Sequence, residues 1–149
     1  MRSDTRDYLA VAIEEARIGL AEGGIPIGAV LVIGGEIVAR GRNRRVQSGS
    51  AVLHAEMDCL ERAGRLSAKE YRSATLVSTL SPCDMCSGAT LLYGIRHVII
   101  GESRTFQGPE SYLLSRGVRL DILNDEECVA MTRDFIAGNP ALWNEDIGR

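Results

Sequence analysis

The stretch "ATLVSTLSPCDMCSGATLLYGIRHVIIGE", Ala74 to Glu102, reads as strand, helix, strand. "ATLVSTL" is a short apolar run of the kind that fills a buried strand, and "HVIIGE" is a second one. Between them a helix opens in the SPCDMC segment and stops at Gly94. Strands joined by a helical crossover run parallel, and a parallel pair needs helices on its faces. Further on, "GPESYLLSRG" predicts a short helix, "VRLDIL" a strand, and Asp125 to Ala137 a helix; Pro140 then opens a last helical turn carrying Trp143. Upstream, Leu9, Ala12, Ile13, Ala16 and Leu20 recur at helical spacing and Gly23-Gly24 end the run. "IPIGAVLVIGGEIVARGRN" then reads as two β-rich runs, Ile27–Ile33 and Glu36–Arg40, joined by the hairpin signal Gly34-Gly35. The period is helical again from Ala51 to Ala63. The expectation is a single three-layer α/β/α domain over residues 1–149, with a mixed five-stranded sheet flanked by helices.

Bulk properties narrow the function. A chain of 149 residues with 45% hydrophobic and 25% charged residues can bury its own core. The net charge of −3 makes nucleic acid an unlikely partner, and the longest basic run, "RNRR" from Arg42 to Arg45, reads as a solvated loop. The N-terminus lacks the unbroken apolar core of a signal peptide, and no apolar run is long enough to cross a membrane. A cytoplasmic location is expected, and Cys-x-x-Cys in a reducing compartment points to metal or redox chemistry. Cys59 and Cys128, set among apolar neighbours, read as inert buried thiols.

If Ser81 is the N-cap and Pro82 the first helical residue, Cys83 and Cys86 share one face of the first turns. Free amide groups and the helix dipole favour thiolates there. Two sulfurs do not complete a tetrahedral site, and the chain has only two histidines. His97 opens an apolar strand, whereas His54 lies in "LHAEMD" at the start of a helix with Glu56 two residues on. One imidazole and two thiolates leave the fourth position of a zinc ion to water or hydroxide, the catalytic pattern rather than the closed structural one. A carboxylate beside the metal, Glu56, can then act as a proton shuttle. Residues i and i+2 meet at one site only near a helix start. A thioredoxin-like pair would have no use for His54 and Glu56.

His54-Ala55-Glu56 with Pro82-Cys83-Asp84-Met85-Cys86 matches H-x-E with P-C-x-x-C, the pattern of zinc nucleobase deaminases. Over nearly its whole length the chain also resembles the fungal-type cytosine deaminases of the cytidine deaminase-like superfamily. The segments that carry this are "EGGIPIGAVL", "LHAEMDCLERAGRL", "STLSPCDMCSGATLLYGI", "VIIGE" followed by Phe106, and the tail "WNEDIGR". Guanine and tRNA adenosine deaminases typically carry Glu before the Pro, where this chain has Ser81. The resemblance implies zinc on His54, Cys83 and Cys86 and proton transfer by Glu56. It also implies a base pocket formed by Asn43, Ala55, Ser81, Phe106, Trp143 and Asp146, in which Asn43 reads the ring edge, Asp146 accepts from the exocyclic amine, and Phe106 and Trp143 are aromatic walls.

Three departures border that pocket. Ala55 replaces a glycine, "QGPESYL" is one residue shorter, and Asn144 stands where an aromatic belongs. The implied activity is hydrolysis of cytosine to uracil and ammonia in pyrimidine salvage, by a homodimer. Isocytosine, guanine, creatinine or an amino-triazine are the alternative substrates, with tRNA adenosine further off. A non-catalytic zinc module is the alternative of another class.

Overall fold

The computed structural model describes residues 2–149. Five strands form one sheet in the order β2-β1-β3-β4-β5, with β1 Gly28–Ile33, β2 Glu36–Arg42, β3 Thr75–Ser78, β4 His97–Ile100 and β5 Arg119–Ile122. β1 runs antiparallel to β2 and to β3, while β3, β4 and β5 are mutually parallel. The sheet is therefore mixed, as the hairpin followed by strand–helix alternation predicts. Gly34 and Gly35 turn the hairpin with φ of 61° and 81°. Positive φ at both positions is the conformation that matches the twist of the flanking strands, and glycine adopts it without strain.

Alternation along the strands divides the core into two layers. Val30 and Val32, Val77 and Ile99 face α1 (Arg2–Ala21), through Leu9, Ala12 and Ile13, and Cys128 of α7 (Glu126–Gly138). Ala29 and Leu31, Leu76, Val98 and Ile100 face the other way. There they meet Cys59 and Leu60 of α3 (Ala55–Ala63), Ala89 of α5 (Asp84–Tyr93), Leu113 of α6 (Glu110–Ser115) and Trp143 of α8 (Pro140–Asp146). β2 is an edge strand covered on both sides by α1 and α3. The α3 contact is close enough that a Cβ at Gly41 would overlap the main-chain nitrogen of Cys59.

Four expectations are corrected. The helix expected from Ala51 begins at Ala55, with His54 as its N-cap in an extended conformation. The helix expected to start at Ser81-Pro82 begins at Asp84 with Cys83 as N-cap, because the Ser81 hydroxyl is drawn to Glu110 instead of to a helix amide. Two short helices join the predicted set, α2 (Arg45–Ser48) and α4 (Ala68–Ser73), the second closed by a Ser67–Glu70 capping box. Nor is "RNRR" a solvated loop. Arg42 pairs with Glu15 and Glu22, Arg44 with Asp58, and Arg45 with Glu145. Their carboxylates come from distant helices that a local reading cannot see.

Candidate metal centre and base pocket

The site forms where the chain leaves the carboxyl ends of the parallel strands, the usual ligand position of such sheets. After β3 the chain runs through Ser81 to Cys83, and after β4 through Glu102 to Phe106. His54 comes in from the start of α3. Its position as N-cap resolves the spacing problem with Glu56, since the N-cap residue lies off the regular helix and Glu56 lies in the first turn.

The nitrogen of His54 and the sulfurs of Cys83 and Cys86 all lie within 4.8 Å of one another. His54 Nδ1 is 3.4 Å from Cys83 Sγ, and its Nε2 is 3.4 Å from Asp146 Oδ1. One ring nitrogen thus points into the donor cluster while a carboxylate faces the other, the arrangement that orients metal-bound imidazoles. Two sulfurs and a nitrogen suit zinc with one position left to solvent. Glu56 is buried, stays outside the cluster of three, and accepts a hydrogen bond from Ser78 Oγ at 3.2 Å.

The three donors and the carboxylates of Glu56 and Asp146 shift one another strongly. A hydrogen bond from Cys86 brings the Cys83 thiol down to about 4, against burial and helped by His54. Cys86, as donor in that pair and nearly inaccessible, is pushed well above the ordinary thiol range. Burial lowers the His54 imidazole, but Cys83, Asp146 and Glu56 outweigh it and push it up to about 9. Burial pushes Glu56 up to about 7, with Cys83 adding and His54 opposing. Asp146 is raised by burial against the pull of His54 and Asn43. A dication amid these groups neutralises the imidazole and strips both thiols, so binding competes with protons.

A cavity of about 390 Å³ opens over the cluster, with His54, Cys83, Phe106, Asp146, Ile147 and Arg149 in its lining. The ring of Phe106 meets Trp143 edge to face, centroids 6.2 Å apart. Asn43, fully buried just past β2, donates from Nδ2 to Asp146 Oδ1 at 2.9 Å and accepts from the Arg45 amide at 3.0 Å. Ala55 is buried behind His54, and Ser81 is buried with its hydroxyl turned toward Glu110. His54, Cys83, Phe106 and Asp146 therefore line the cavity directly, while Asn43, Ala55, Glu56, Ser81, Cys86 and Trp143 stand around it. Gln107, Gly108 and Pro109, from the "QGPESYL" segment expected to border the pocket, also line it, and Glu102 and Glu110 hold that loop. Nothing in the local pattern marks the holding roles of Glu102 and Glu110. His97 takes no part, since its Nε2 lies 2.6 Å from Asp121 Oδ2 at the other end of β4. Cys59 and Cys128 are free, buried, and raised above the usual thiol range by burial.

A larger groove of about 570 Å³, bounded by Met57, Leu60, Tyr71, Leu92 and Tyr93, holds none of the metal-site donors. Glu61 and Arg65 also line it, so this surface is part apolar and part charged.

Donor set, adjacent carboxylate and fold together define a zinc-dependent deaminase. Residues 2–102 match the cytidine and deoxycytidylate deaminase zinc-binding region, and the chain belongs to that family. It is 46% identical to the cytosine deaminase of Candida albicans over 149 residues, 99% of either chain. It is 43% identical to the tRNA-specific adenosine deaminase of Bacillus subtilis over 95 residues, 63% of this chain and 59% of that one. Among solved structures, a variant of NE0047 in complex with 8-azaguanine superposes with a TM-score of 0.78 at 26% identity, covering 91% of this chain and 85% of that one. The expected fold, cofactor and reaction class hold.

Proposed function

We propose that the 149 residues form one domain that hydrolyses free cytosine to uracil and ammonia. The observation that carries the reading is a buried carboxylate, Glu56, beside three converging metal donors at the foot of a cavity sized for a small heterocycle. The full-length similarity to a cytosine deaminase supports the choice of base.

Zinc held by His54, Cys83 and Cys86 supplies Lewis acidity and lowers the pKa of water. Glu56, buried beside the donors, takes a proton as water adds to C4 and delivers one to ring N3. It then takes the remaining proton from the oxygen added at C4 and hands it to the amine as the C4–N bond breaks and the C4 carbonyl forms, so water and cytosine become uracil and ammonia. Ser78 orients the carboxylate through its hydroxyl. Asp146 accepts from the exocyclic amine, Asn43 reads the ring edge and holds Asp146, and Phe106 and Trp143 enclose the ring. Ala55 and Ser81 contribute to the pocket through their main chains.

The enzyme acts in the cytoplasm in pyrimidine salvage, a reading supported by four unpaired cysteines. Among the described residues no helix is long and apolar enough to cross a membrane. It acts as a homodimer through the larger groove, where Leu92 is 76% exposed beside the stacked Tyr71 and Tyr93. Sedimentation of a Leu92→Asp variant tests the assembly, and an unaltered mass would exclude this face.

The experiment for the activity is ammonia release from cytosine, isocytosine, guanine, adenine, cytidine and creatinine, with zinc measured on the same protein. Zinc-dependent release from cytosine above the others is expected. Turnover of a different base, or none, would overturn the assignment.

A further inference from the structure

We propose that Glu110, acting through Ser81, is a positioning residue that sets the width of the pocket by clamping the loop of Phe106 to the segment that carries Cys83. The inference rests on the cavity being the base pocket.

Glu110 opens α6 and is 6% exposed. Among the described residues its side-chain partners are Ser81, whose hydroxyl donates to Oε2 at 2.7 Å, and Gln107, whose Nε2 donates to Oε1 at 3.0 Å. A carboxylate taken out of water without a cation needs such donors. Here they come from the two segments that must be held together. Ser81 lies two residues before Cys83, and Gln107 follows Phe106 directly. The same Ser81 oxygen accepts from the Gly108 amide at 3.0 Å, and the Ser81 amide donates to the Glu102 carbonyl at 2.9 Å. One serine thus ties both ends of the 102–110 loop.

Glu102 anchors the near end. It is fully buried and accepts from the amides of Arg104 and Thr105 and from the Thr105 hydroxyl. At the far end Gly108 lies so close to Pro82 that a Cβ there would overlap the Pro82 carbonyl oxygen. The loop therefore cannot shift without moving Ser81 and Pro82 with it. Phe106, by contrast, is only half-buried, and its aromatic partner is the edge-on Trp143. Apolar packing alone does not fix its distance from the metal donors. The Glu110–Ser81–Gly108 chain does, and it does so without touching the reacting atoms.

The test compares Ser81→Ala and Glu110→Ala with the conservative Ser81→Thr and Glu110→Gln in zinc-loaded enzyme. A loosened wall costs binding more than chemistry, so the alanine variants raise KM for cytosine about tenfold while kcat stays within about threefold. The guanine-to-cytosine ratio of kcat/KM rises by a similar factor. Uracil binding, read by quenching of the single tryptophan, Trp143, weakens in parallel. Zinc stays at wild-type content. Ser81→Thr restores the values because it keeps the hydroxyl, and Glu110→Gln, which keeps one acceptor, falls between. If Glu110→Ala does not fold, Ser81→Ala and Glu110→Gln decide. Unchanged KM and uracil binding, a fall in kcat alone, loss of zinc, or failure of Ser81→Thr to rescue would each overturn the inference. Were the wild-type enzyme to turn over another base instead, the cytosine assignment would fall, while the same KM comparison on that base still decides the role of Glu110.

Discussion

Replacing Asn43 by alanine tests how the C-terminal tail is held over the site. The amide is fully buried, donates to Asp146 Oδ1 and accepts from the Arg45 amide. A hydrogen bond to a carboxylate contributes about 1.5–3 kcal/mol and a neutral one about 1. Loss of both therefore costs about 3 kcal/mol, a fall in Tm of roughly 6–12 °C for a chain of this size. Asp146→Ala removes the same contact from the other side and also withdraws the carboxylate that faces His54 Nε2. A double-mutant cycle separates these effects. The Asn43–Asp146 coupling is expected at about 1.5–3 kcal/mol, read from urea unfolding of the two single variants and the double variant. Ile147 and Arg149 line the cavity just beyond this contact, so the Asn43→Ala variant also shows a raised KM with wild-type zinc content. Coupling below about 0.5 kcal/mol, the level of independent sites, would refute the claim that this pair docks the tail.

Glu56→Gln preserves an acceptor for the Ser78 hydroxyl but removes the base, so ammonia release falls by about 10²–10⁴ while zinc content stays at wild-type level. A variant with wild-type turnover would remove Glu56 from the chemistry. In chelator-treated protein, one thiol reacts fast with iodoacetamide even at pH 6. Cys83 is held down to about 4 and is ionised there, whereas Cys59 and Cys128 are raised and stay silent. Peptide mapping that finds Cys59 or Cys128 labelled first would contradict these environments. Gly41→Ala drives a methyl into the backbone of α3 at Cys59 and Ala55. It costs about 1–3 kcal/mol in urea unfolding and weakens zinc binding in a competition assay, because the same helix start carries His54. Full zinc affinity in that variant would show that His54 is held independently of the α3–β2 contact.

Much of the fold could be read in order along the chain. The hairpin at Gly34-Gly35, the alternation in Val30–Val32, and the strand–helix–strand unit from Thr75 to Ile100 depend on neighbours two to four residues apart. Those are the distances at which backbone geometry writes a period into sequence. The short polar helix Ala68–Ser73 escaped because its capping box lacks an apolar stripe beside it. The Ser81 start failed for another reason. Its hydroxyl has a stronger offer from a buried carboxylate, and the helix consequently begins at Asp84 with Cys83 as N-cap, which puts the first sulfur at the helix mouth.

The candidate donors and carboxylate, His54, Glu56, Cys83 and Cys86, can be picked out from the sequence alone, because those side chains offer zinc-binding atoms and an adjacent acid in a recognisable order. Tertiary structure decided the rest. It brought His54 to the sulfurs and set Asp146 across from it. It turned Arg42 to Arg45 inward to carboxylates and bound the Phe106 loop through Ser81 to Glu110. Contacts between residues tens of positions apart leave no period in the chain. They exist only once the sheet has set the distances between its loops.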